Sequence, residues 1–287
     1  MENFIISTEN TCDLDIAYLE NRKISVVKLH YFLDGVECND FDAENFYSLL
    51  SSGKKGTTSQ PSPYQFEEAW RPVLESGKDV LHLSFASVLS GTYSCATTTA
   101  KRLQEEFPDR KIIVFDTKSE AAGQGLLVTL VADYRDKGYP IDECFKYAEN
   151  MAPKINHVFT LDDLRNLVST GRVTNAEAFI GNLLQIKPLL YTTEEGKLKP
   201  FMRLISRKLA LSVLVDKAKA KYTGEVPLIY VSHSNCLKDA KYLESKLSSL
   251  GAKIEILKLS PVIGSHTGPN TVAIFLVGKD RNMRGQK

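Results

Sequence analysis

Three short segments carry most of the side chains that could meet a ligand. "GTTSQPSP" (56–63) places Thr57, Thr58, Ser59 and Gln60 just ahead of a helix that Ser62 can cap. A helix N-terminus offers unpaired N–H groups and a partial positive charge, which suits an anion; the plain alternative is an elaborate cap and turn. "SFASVLSGTYS" (84–94) takes a strand into a loop, where Ser90, Gly91 and Thr92 open a helix. Gly91 lets the backbone approach a ligand, and the hydroxyls can donate to it. "PVIGSHTGPN" (261–270) sets His266 between Ser265 and Thr267 in what reads as a glycine-bracketed turn. An imidazole there can donate to an anion and titrates near neutrality, although a lone histidine is more often structural. Arg172 follows a glycine, and Arg203 and Arg207 lie in a basic stretch. The planar guanidinium fork suits carboxylate, phosphate or an acidic partner.

Reaction machinery is harder to find. No lysine follows Gly91 as a phosphate loop requires, and Val88 and Thr92 stand where a nucleophile elbow around Ser90 would need glycines. There is no carboxylate cluster, no metal-ligand spacing and no dinucleotide fingerprint, so neither cofactor nor metal is expected. Neutral donors and one histidine favour a non-enzymatic binder of an anionic small molecule. A serine-dependent acyl or lipid ester hydrolase using Ser90 is the alternative.

The elements that must position these groups alternate. Apolar strands at 79–85 and 111–117 interleave with helical patterns at 91–108 and 119–138, which is the signature of a parallel α/β sheet. Ligands of such sheets bind beyond the C-terminal strand ends, here 7–13, 84–92 and 116–123, all rich in hydroxyls. "ISVVKLHYFLDG" (24–35) reads as strand material ending in a turn. After about residue 153, adjacent strands with short turns mix with helices, including one predicted from 176. The expected fold is an α/β domain over 1–153 and an α+β domain with a mixed sheet over 154–287, with the ligand between them.

Composition fits such a chain of 287 residues, 43% hydrophobic and 25% charged. Charge is uneven: residues 1–150 hold 15 Lys and Arg against 24 Asp and Glu, and residues 151–287 hold 21 against 11. The basic half suggests an anionic partner; few aromatics interleave with it, so nucleic acid is not expected. Five scattered cysteines without C-x-x-C point to reduced thiols and a cytoplasmic location. The opening "MENFIISTENTCD" resembles no signal or transit peptide, and no apolar run is long enough to span a membrane. A monomer is expected.

Seven segments in order resemble the DegV family of bacterial fatty-acid-binding proteins: "STENTCDL" (7–14), "TTSQPSP" (57–63), "LSGTYSCA" (89–96), "FDTKSEAAGQGLLV" (115–128), "TLDDLRNLVSTGRVTNAEAFIGNLLQIKPLL" (160–190), "GKLKPFMRLISRKLAL" (196–211) and "PVIGSHTGP" (261–269). The resemblance implies a two-domain protein that buries a long-chain fatty acid between its domains. Some members carry the acyl chain for a separate fatty-acid kinase subunit, whose acyl-phosphate product feeds phospholipid synthesis. By motif position Thr58 and Ser90 would hold the carboxylate, with Gly91 and Thr92 beside it and His266 near the head group. The chain departs from the family pattern at Thr8 and Glu9, in "SFASVLSGT", and at Ile205, where many members have arginine.

Overall fold

The computed structural model describes residues 3–40, 42–174 and 186–281. The first half runs β1 (Phe4–Glu9), α1 (Ile16–Asn21), β2 (Ile24–Val27), β3 (His30–Leu33), β4 (Val36–Glu37), α2 (Ala43–Ser51), β5 (Gly56–Ser59), α3 (Pro63–Glu75), β6 (Asp79–Ser84), α4 (Thr92–Glu106), β7 (Ile112–Asp116), α5 (Ala121–Asp136) and α6 (Ile141–Met151). The second runs β8 (Ile155–Thr160), α7 (Arg165–Ser169), β9 (Lys187–Thr192), β10 (Leu198–Leu204), α8 (Arg207–Lys221), β11 (Leu228–His233), α9 (Leu237–Leu247), β12 (Lys253–Lys258), α10 (Pro261–Thr267) and β13 (Val272–Val277). The helix expected from 176 falls largely outside the described residues.

Strands β2, β1, β6 and β7 lie side by side and all parallel, as the β–α–β pattern requires. The later strands form a six-stranded mixed sheet in the order β10-β9-β8-β13-β11-β12. Helix α5 packs on both sheets, against β1 and β6 on one side and β8, β11 and β13 on the other. That position explains why its sequence is apolar all round and why it is buried from Ala121 through Ala132. Gly123 lets the His157 ring sit against the helix, where a side chain would collide.

Two segments depart from the sequence reading. The run 24–35 is not one strand: β2 joins the parallel sheet, while β3 pairs antiparallel with β4 and β5 in a separate three-stranded sheet. The break has a local cause. The Asn10 side chain accepts from Leu29 N at 2.9 Å and donates to Leu29 O at 3.0 Å, so both backbone groups of Leu29 leave the ladder. The other departure is "PVIGSHTGPN", which contains a helix. Ser260 caps α10, Pro261 occupies its first position, and Gly268 at φ +76° stops it. All three signals are in the sequence, but the density of glycine and proline makes them read as a turn. The cap at α3 is as expected: Ser62 and Gln65 form a reciprocal capping box with Pro63 at the first position.

Candidate functional site

Residues of both halves line a cavity with about 690 Å³ of non-atom space, part of it continuous with solvent. Leu29, Phe85, Leu89 and Ala121 wall it from the first half; Phe159, Leu198, Ile263, Ala273 and Phe275 wall it from the second. Its polar lining includes Thr58, Ser90, Arg172, His266 and Thr267. Two of the three hydroxyl-rich strand ends therefore reach the cavity, through Ser90 and through Glu120 and Ala121. The first, 7–13, does not line it.

Thr58 and His266 form the centre of the polar group. Thr58 Oγ1 lies 2.7 Å from His266 Nε2, and His266 Nδ1 is buried without a protein partner. Strand β5 carries Thr58 and packs on α10, which carries His266. The approach is close: Gly56 lies so near Ser265 that a Cβ would come within 2.9 Å of its Cα. The carbonyls at the end of α10 are held by Asn166, whose Nδ2 donates to Ser265 O at 2.7 Å and His266 O at 2.9 Å. Burial, reinforced by the positive charge of Arg172, pushes the His266 imidazole down to about 4. It is therefore neutral at pH 7, with one donor and one acceptor nitrogen.

Ser90 stands on the adjoining loop. Its Oγ pairs with Thr92 Oγ1 at 2.8 Å and accepts from Thr92 N at 3.3 Å. Gly91 abuts the end of the Gln60 side chain, two residues beyond Thr58. Thr58, Ser90, Arg172 and His266 thus share one cavity, and Thr92 orients Ser90. Arg203 and Arg207 lie elsewhere. Arg203 is exposed on β10, and Arg207 opens α8 with its Nε 2.8 Å from Asp239 Oδ2.

Several buried polar residues escaped the sequence reading. Glu9 accepts from Ser84 Oγ, Phe85 N and Gln124 Nε2, and faces His82 Nε2 at 3.0 Å. This cluster ties the ends of β1 and β6 to α5. Asp13 takes a left-handed conformation at φ 58° and accepts from Ser260 N at 2.8 Å and Ser232 Oγ at 3.1 Å. The loop after β1 therefore braces α10 rather than lining the cavity. A functional motif and a structural brace have the same hydroxyl-rich composition, so sequence alone does not separate them.

Asp13 also leaves a pH signature. Burial raises its carboxyl to about 7, and the bonds from Ser260 and Ser232 offset this only in part. The folded state therefore favours the neutral acid. Stability contributed by Asp13 should fall as pH rises from about 4 to about 7 and then level off. His266, with its lowered value, acts in the opposite sense below about 6.5 but is common to wild type and variant. Denaturation of wild type and Asp13→Asn across this range should show the loss in wild type relative to the variant. Parallel profiles would show that Asp13 is not the titrating group.

A family model described as "Uncharacterised protein, DegV family" matches residues 3–279. The chain belongs to the DegV family. It is 34% identical to a DegV domain-containing protein of Clostridium perfringens, over 97% of this chain and 98% of that one. A fatty-acid-binding DegV family protein from Thermus thermophilus superposes with a TM-score of 0.86 at 26% identity, over 96% of this chain and all of that one. Another from Streptococcus agalactiae superposes with a TM-score of 0.83 at 28% identity, over 98% and 100%. The α/β fold with a parallel first sheet and a mixed second one is that of the family.

Proposed function

We propose that this chain binds a long-chain fatty acid in the cavity between its halves and presents the carboxylate to a separate kinase. The observation that carries the reading is the Thr58–His266 pair, with Ser90 on the adjoining loop, in a cavity otherwise lined mainly by apolar side chains. Hydroxyl donors hold a carboxylate without neutralising it, and the aliphatic walls take the tail. The fatty-acid-binding relatives from Thermus thermophilus and Streptococcus agalactiae support the ligand class.

Presentation to a kinase rests on the head group and the surface. A carboxylate oxygen would attack the γ-phosphorus of ATP held by the kinase, releasing ADP and leaving an acyl phosphate at Thr58 and His266. Arg172 lies close enough to affect His266 and would offset the added charge. The second half is basic, and exposed Arg203 and Lys208 flank Ile205, which is 74% exposed. That surface suits an acidic partner. The five cysteines are free thiols, which suits a reducing, cytoplasmic setting, and among the described residues no helix is long and apolar enough to cross a membrane. A hydrolase reading is poorly served: Ser90 pairs with Thr92, while His266 pairs with Thr58.

Titration of delipidated protein with stearate tests the head-group assignment. Thr58→Ala and Ser90→Ala should each weaken binding by roughly 1–3 kcal/mol, about 5- to 150-fold. Unchanged affinity in both variants would place the carboxylate elsewhere.

A further inference from the structure

Glu120 is the acidic residue of an otherwise mainly apolar wall. It is 7% exposed. Its Oε1 accepts from Thr192 Oγ1 at 2.8 Å and lies 2.8 Å from His157 Nδ1, whereas Oε2 is buried and has no partner. Burial works to raise the carboxyl, but His157 and the buried Arg281 nearby outweigh it and hold the group below the usual carboxylate range. An ionised oxygen in an apolar cavity is costly unless something donates to it.

Strand β13 locates this carboxyl group along the cavity. Thr271, Ala273 and Phe275 alternate onto the wall. Thr271 Oγ1 donates to Thr267 O, beside His266. Phe275 meets the His157 ring edge-on, and His157 pairs with Glu120. Four residues of strand cover roughly 13 Å. An extended acyl chain, with zigzag C–C bonds of about 1.5 Å, advances roughly 1.25 Å per carbon, so that is about ten carbons from the head group.

We infer that Glu120 determines specificity by accepting a hydrogen bond on Oε2 from a hydroxyl near the middle of the acyl chain, so that the preferred ligand is a hydroxylated long-chain fatty acid. The inference rests on the fatty-acid reading of the cavity. A saturated chain at this point would leave that carboxylate oxygen without a donor. A mid-chain hydroxyl supplies the missing donor as a charge-assisted bond.

The test is titration of the delipidated full chain with stearate, 10-hydroxystearate and 2-hydroxystearate, in wild type and Glu120→Met. Wild type should bind 10-hydroxystearate about tenfold or more tighter than stearate, with no such gain for 2-hydroxystearate. Glu120→Met keeps the length of the side chain and removes the acceptor, so the preference should vanish, chiefly through tighter stearate binding. Stearate binding as tightly as 10-hydroxystearate in wild type, or a preference that survives in the variant, would overturn the inference and leave fatty-acid binding standing. Failure of all three acids to bind would overturn both. If Glu120→Met does not fold, the two positional isomers in wild type still decide.

Discussion

Ala273→Phe should weaken stearate binding by roughly 100- to 1,000-fold without unfolding the protein. Ala273 is buried on β13 and faces the cavity between Thr271 and Phe275. Across the ladder its partner is Phe159, which lines the same space. A second ring here would fill the path proposed for the acyl chain from Thr58 and His266 toward Phe275. Each methylene kept out of apolar surroundings costs ~0.8 kcal/mol, so four or five excluded groups cost about 3–4 kcal/mol. In a filled core the added ring would overpack and destabilise by roughly 1–3 kcal/mol. Here it enters empty space, so the melting temperature of the ligand-free protein should hold or rise. A variant that folds and binds stearate like wild type would show that the tail lies elsewhere.

His266→Gln should separate binding from phosphoryl transfer. With ATP and a fatty-acid kinase subunit supplied, as the proposed function requires, acyl-phosphate formation should fall by roughly 100- to 1,000-fold, while stearate affinity changes less than about tenfold. The difference follows from when charge appears. The bound carboxylate carries one negative charge, which Thr58 and Ser90 can hold with neutral donors. The incoming phosphoryl group adds more, close to an imidazole whose Nδ1 is buried and unpartnered and whose affinity for a proton is depressed by burial and by Arg172. Added negative charge nearby favours the imidazolium, which glutamine cannot supply. Equal losses in affinity and phosphorylation would reduce His266 to a positioning role for Thr58, and no loss in either would remove it from the site.

The parts of this protein that are legible in sequence are those governed by local rules. The parallel sheet shows in the alternation across 79–138, and the α3 cap shows in Ser62, Pro63 and Gln65. Thr58, Ser90 and His266 stand out because small polar residues and glycines interrupt apolar patterns, and the structure brings all three to one cavity. What escapes is set by contacts distant in sequence. Asn10 divides β2 from β3 by binding Leu29, 19 positions away. Asp13 meets Ser260 across 247 positions. Glu120 looks like an ordinary helix-entry acid until His157, Thr192 and Arg281 are seen around it. Arg203 and Arg207 show the converse: their charge is plain in sequence, but their distance from the cavity is not.

Fatty-acid binding is tested most directly by native mass spectrometry of the purified chain, followed by titration after delipidation. One long-chain fatty acid should travel with each protein molecule, and the delipidated protein should take up one equivalent again. A chain that carries no acid as purified and binds none across the C14–C20 range in titration would contradict the assignment of this cavity.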